Sequence, residues 1–196
     1  MPARAAKLLP NVRADFRYML TREGHSWSRS PRTLALCLGY LLARPGATAV
    51  WVYRCERALY RWHLVPLAYV AARLNQVMHG IEIPPTVKVG PGFVVYHPSG
   101  IVLHGDVRVG QRFRIHTGAV LGIRGTSDGR TVGPPVVGDD VLVGTGAKLL
   151  GDIKVGDGAQ IGANAVLVQD APPGSTATGI PATLRLAEPA VPARDA

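Results

Sequence analysis

A branched apolar residue at every sixth position constrains this chain more than any other feature. Val143, Leu149, Val155, Ile161 and Leu167 hold that interval without a gap. Ile83, Val89 and Val95 share it upstream; the phase then slips by two residues and resumes at Leu103, Val109, Ile115 and Leu121. A period of six matches neither the 3.6 of a helix nor the 2 of a strand, so it is read as a repeat. Three rungs of six make one triangular coil of about eighteen residues, each rung supplying one inward aliphatic side chain and one tight corner. The expected fold is mainly β, a parallel β-helix over residues 81–184. The segment GIRGTSDGRTVGPPV (122–136) has no phase and is rich in Gly and Pro, which predicts a loop projecting from the coil. Insertions in repeat folds often map to the binding face.

Residues 1–80 read as helical. Val50, Tyr53, Leu59 and Trp62 recur at helix spacing, Pro66 precedes a further helix through Leu67–Met78, and Gly80 ends it. Twelve of the 22 basic residues but only three of the 13 acidic ones fall in this segment, so the net charge of +9 belongs to it. No recognition motif or aromatic interleaving accompanies the charge, so nucleic acid is not an expected partner. A solvated basic surface, helping to attract an anionic co-substrate, is the expected reading. Residues 34–53 approach membrane length, but Arg44-Pro45-Gly46 divides them. Two buried helices joined by a turn are expected, without stable membrane insertion. The N-terminal stretch shows no signal-peptide pattern. Cys37 and Cys55 have no metal-ligand spacing, and are expected as small buried side chains in a reducing cytoplasm. The polar, Pro- and Ala-rich end, 185–196, is expected to be a mobile tail.

Two residues on the first coil suggest chemistry. His97 lies in VVYHPSG and Glu82 lies fifteen residues earlier, close to one coil. A carboxylate bonded to one imidazole nitrogen fixes the tautomer and stabilises imidazolium as the other nitrogen takes a proton. A hydroxyl activated in this way attacks a thioester. On spacing alone the pairing is weak, since a lone histidine beside a proline is more often structural.

At these residues the chain resembles the serine acetyltransferase branch of the hexapeptide-repeat acyltransferases. The resemblance runs from about Arg44 to Leu184 and rests on PGATAVWVYR, GIEIPPTVKVGPGFVVYHPSGIVL, IHTGAVLG, VGTGAKLLGDIKVGDGAQIGANAVL and PPGSTATGIPA. It implies a left-handed β-helix and acetyl-CoA-dependent O-acetyl transfer in a homotrimer with no metal. In the resemblance His97 is the general base and Glu82 stands in for its aspartate partner. Gly144, Thr145 and Ala163 match positions where the pantetheine arm passes. Pro181, in Gly179-Ile180-Pro181-Ala182, sits near the nucleotide end, and Lys148 or Arg185 would meet phosphate.

The departures fall on the acceptor side. The family's aspartate before the catalytic histidine is Tyr96 here, and its Arg-His pair at the end of the loop is Gly133-Pro134. Its Asp-Pro-Ala motif is matched loosely by Ser30-Pro31-Arg32. Charged hydrogen bonds to a zwitterion are therefore missing, and Tyr96 with His116 is expected to contact the acceptor, whether serine-like, a saccharide or another hydroxyl compound. The short helical region and the ending PARDA point away from the family's dimer of trimers and from a sulfhydrylase complex. Two rival readings remain: a non-catalytic scaffold, and a metal hydratase using His97, His104 and His116. The spacings of seven and twelve lack the paired pattern of a zinc site.

Overall fold

A computed structural model describes residues 8–28, 30–125 and 129–186, with side chains from residue 11 onward. Four helices precede the coil: α1 (Leu8–Arg22), α2 (Pro31–Ala43), α3 (Pro45–Arg61) and α4 (Val65–His79). The last three carry proline in the first turn, where a missing N–H costs nothing. Ser30 Oγ caps α2 by accepting from Thr33 N at 3.3 Å. Gly80, in the left-handed region at φ 67°, stops α4 and hands the chain to the coil.

The coil is a left-handed parallel β-helix with three walls. One wall stacks β1 (Ile81–Glu82), β4 (Ile101–Leu103), β7 (Val120–Gly122), β12 (Lys148–Leu150) and β15 (Val166–Leu167). The second stacks β2 (Lys88–Val89), β5 (Arg108–Val109), β10 (Val136–Val137) and β13 (Lys154–Val155). The third holds β3 (Val94–Tyr96), β6 (Arg114–His116), β11 (Leu142–Val143), β14 (Gln160–Ile161), β16 (Thr176–Thr178) and β17 (Thr183–Arg185). Between β7 and β10 a small antiparallel hairpin, β8 (Arg124–Gly125) with β9 (Thr131–Val132), occupies the described part of the inserted loop. Residues 126–128 of that loop lie outside the described residues, as do 187–196 of the expected tail. Arg185, assigned to the tail by sequence, is instead the last residue of β17, folded back antiparallel onto β16 with Thr176 as its partner.

Each rung buries two side chains rather than the single one read from the period. Val87 with Val89, Phe93 with Val95, Val107 with Val109 and Phe113 with Ile115 all point inward. Strand alternation sends residues two apart to the same face. The second inward position is alanine at 147, 159 and 165, too small to register as a hydrophobic beat.

The helices are locked to the coil by aromatic and ionic contacts. Tyr53 meets Phe93 edge-on, and Phe93 stacks on Phe113 at 5.8 Å. Gly46 is essential at the start of α3, since a Cβ there would lie 2.0 Å from Val95 O. Arg54 and Asp15, both buried, form a two-pronged ion pair at 2.8 and 3.0 Å. Arg54 also donates to Val89 O and Gly90 O, while Asp15 accepts from Gly92 N and Phe93 N.

The expectation of two buried helices over 34–53 is corrected. α3 buries Ala49, Val50 and Tyr53, but Thr33 is the one buried residue of α2. α2 packs chiefly on α3 and meets Glu23 and His25 through Tyr40, which leaves Leu34, Leu38 and Leu42 exposed. Cys37 and Cys55 are half-buried rather than fully enclosed. No single helix is long and apolar enough to cross a membrane, and α2 and α3 meet at 99°.

Candidate active site

The two-residue slip in the sixfold phase is the site itself. Ile81 pairs with Ile101, so the first coil is twenty residues long, whereas Val102 pairs with Val120, eighteen on. Tyr96 is opposite His116, and Ser99 O accepts from Gly118 N at 2.8 Å. Ser99 and Gly100 therefore occupy the corner places of Thr117 and Gly118. The inserted pair is His97-Pro98. The left-handed corner residue recurs at Gly100, Gly118, Gly146 and Asn164, with φ of 63°, 70°, 70° and 56°. His97, at φ 53°, is an additional left-handed residue outside that series. Such backbone is uncommon for a non-glycine residue and recurs at functional sites. The insertion thrusts an exposed imidazole from the edge between the first and third walls.

Beside it, the rings of Tyr96 and His116 stack at 4.7 Å. Burial, with the nearby charges of His97 and Arg114, holds His116 below the ordinary histidine range, so its imidazole is neutral at pH 7. Sequence reasoning missed Arg22 at the end of α1. Burial opposes its charge, but the neighbouring hydroxyls of Tyr96 and Tyr18 outweigh that and raise its pKa. A helix more than seventy residues upstream thus places a guanidinium near Tyr96, a proximity without any local signal.

Glu82 has a hydrogen-bond partner other than the expected His97. Fifteen residues fall five short of the twenty-residue first coil, so the strand partner of Glu82 is Val102. Its carboxylate accepts from Gln76 Nε2 of α4 at 3.2 Å, and among the described residues no hydrogen bond joins it to the imidazole. His104 has local work: its Nδ1 accepts from Asp106 N at 3.4 Å.

The remaining predicted positions follow one edge of the prism. Beyond the inserted pair, Ser99, Thr117, Thr145 and Ala163 succeed one another coil by coil, linked by Gly118 N to Ser99 O, Gly146 N to Thr117 O and Asn164 N to Thr145 O, each 2.8 Å. Thr145 and Ala163 are exposed small residues on that edge. The ladder ends at the exposed turn with Pro181, and Arg185, also exposed, lies back across the third wall opposite Thr176. Gly144 has a packing role, since a Cβ there would come within 2.8 Å of Ala163 N and Ile161 O. Lys148 turns its ammonium onto Gly146 O at 2.9 Å rather than outward.

Comparison with known proteins gives these features a context. Residues 134–169 match the family model of the bacterial transferase hexapeptide, six repeats. The chain is 34% identical over 174 residues to a serine acetyltransferase of Mycobacterium tuberculosis, covering 89% of this chain and 72% of that protein. A Helicobacter pylori serine acetyltransferase is 40% identical over 139 residues, 71% of this chain and 80% of the relative. The chain belongs to the serine acetyltransferase family. A solved serine acetyltransferase in complex with CoA superposes with a TM-score of 0.75 at 29% identity, over 92% of this chain and 70% of that one. Against the family pattern, Ser30 is a helix cap, and Tyr96 fills the aspartate position with a ring stacked on His116.

Proposed function

We propose that this chain transfers acetyl from acetyl-CoA to the hydroxyl of a small acceptor, with His97 as general base. The observation that carries the assignment of the base is the His97-Pro98 insertion, which presents an exposed imidazole beside a half-buried aromatic pair. The imidazole takes the hydroxyl proton as the acceptor oxygen forms its bond to the thioester carbonyl carbon. The carbon–sulfur bond then breaks, and the imidazolium returns the proton to the departing thiolate, so atoms and charge balance.

The small edge residues Ser99, Thr117, Thr145 and Ala163 support a track for the pantetheine arm. Three coil steps of about 4.8 Å span roughly 14 Å from the insertion to Ala163. Thr145, Ala163 and Pro181 would line this track, and Arg185, with an exposed side chain, is the phosphate contact. Gly144 serves by keeping the coils close, and Lys148 by bracing the corner carbonyls. Neighbouring copies in a homotrimer would close the cleft. Free thiols at Cys37 and Cys55 suit a reducing cytoplasm.

Tyr96 and His116 read the acceptor. Tyr96 in place of an aspartate removes an ammonium partner and supplies a ring face, which favours a neutral hydroxyl compound such as a saccharide over free serine. Glu82 acts only if it exchanges Gln76 for the imidazole. Glu82→Gln with an unchanged pH–rate profile removes it from the mechanism.

Release of CoA thiol, followed against serine, homoserine, sugars and amino sugars, tests the assignment and the acceptor together. His97→Ala is expected to lower turnover by about a thousandfold or more while sedimentation shows the same assembly. Near-normal turnover in that variant overturns the role of His97.

A further inference from the structure

We infer that the helical end of the molecule docks on an anionic lipid surface, with the outer stripe of α2 as the element that enters it. The inference goes beyond acetyl transfer and does not depend on it. Leu34, Leu38 and Leu42 recur every fourth residue, hence on one helix face, and are 72%, 58% and 83% exposed. A helix of this composition is normally buried all round. Trp51 and Trp62 of the same helical end are also exposed, and aromatic rings of this kind favour the lipid–water boundary.

Charge decides the occupant. Of the three carboxylates in the first eighty residues, Asp15 and Glu56 are buried, and Glu23 already accepts from Tyr40 and Arg44. Arg13, Arg17, Arg22 and Arg32 of the same helical segment are exposed, and Arg32 and Arg44 bracket the leucine stripe. A bare apolar stripe within a cationic surface is the pattern of interfacial helices on acidic headgroups. A second copy would oppose arginine to arginine with hardly a carboxylate to separate them. α2 alone is too short to span, since thirteen residues reach roughly 20 Å against a core of about 30 Å, and α3 turns away from it at 99° with Ala49, Val50 and Tyr53 buried.

The test is co-sedimentation of the full chain with vesicles of phosphatidylcholine containing about a third phosphatidylglycerol. Binding to these vesicles, weak on pure phosphatidylcholine and weakened by salt, is expected. Leu34→Glu/Leu38→Glu/Leu42→Glu should reduce the bound fraction at least about tenfold, with circular dichroism and CoA-thiol release unchanged. Arg13→Ser/Arg17→Ser/Arg32→Ser, which leaves the stripe intact, should lower binding to anionic vesicles alone. The proposal is overturned by absence of binding, by equal binding to both lipid compositions, or by a leucine variant that changes the mass in sedimentation velocity while vesicle binding persists. That last result would assign the face to a contact between copies.

Discussion

Glu56 is the most exposing test of how the helical base is held. Its side chain is fully buried between α3 and α4, where Asn75 Nδ2 donates to Oε1 at 3.3 Å and Oε2 has no partner. Burial pushes the carboxyl up from 4.5 to about 8, and the Asn75 bond only partly opposes this. The folded protein therefore holds a proton that the unfolded chain releases, and stability falls as pH rises from 4.5 toward 8. At about 1.4 kcal/mol per pH unit the full loss is roughly 4–5 kcal/mol, an upper bound before the site relaxes. In a chain of this length that corresponds to roughly ten degrees in Tm. Glu56→Gln keeps the shape and removes the titration. Its unfolding midpoint should exceed that of the parent increasingly between pH 6.5 and 8.5. His79, joined to Asn75 at 2.8 Å, makes the lower limit necessary. Burial lowers the His79 pKa, so its contribution is lost as pH falls through 6.5 and would mask the carboxyl below that point. Parallel midpoints for the two proteins from pH 6.5 to 8.5 would refute a protonated Glu56.

Two further changes probe the joint between helices and coil. Arg54→Ala leaves Asp15 buried beside Gly92 and Phe93 without its counter-charge, and should cost about 3–5 kcal/mol by urea unfolding. Adding Asp15→Ala should recover part of that loss, which an unpaired carboxylate requires and a simple packing defect does not. Gly46→Ala drives a methyl into Val95 O. A loss of about 1–3 kcal/mol, with reduced turnover because β3 carries Tyr96 toward His97, is the expected result; unchanged unfolding and turnover would place α3 elsewhere.

How far the site was legible follows from the kind of signal each part leaves. His97 is legible as a histidine on the first coil within a segment that resembles the family, whereas the insertion that presents it shows only in the register between coils. His116 is legible as a polar residue of the IHTG segment, but its place opposite Tyr96 shows only in the register. The register of Glu82 is not legible in the sequence, because only the pairing of Ile81 with Ile101 shows that the first coil holds two residues more than eighteen. For Gly144 and Lys148 the family resemblance implies ligand contacts; the structure adds the close coil stacking at Gly144 and the bond from Lys148 to the Gly146 carbonyl, neither of which leaves a local signal. Arg22 and the Asp15–Arg54 pair left no trace, since contacts over tens of residues create no local pattern.

The sequence by itself determined the solenoid, because each rung must place apolar side chains inward at a fixed interval, and such periodicity is a property of the chain. It also showed where the period breaks. Only the tertiary structure decided which two residues the break ejects, which edge the small residues share, and which helix is left uncovered. Those outcomes depend on register between coils and on packing across long stretches of chain, where neighbouring residues carry no information about one another.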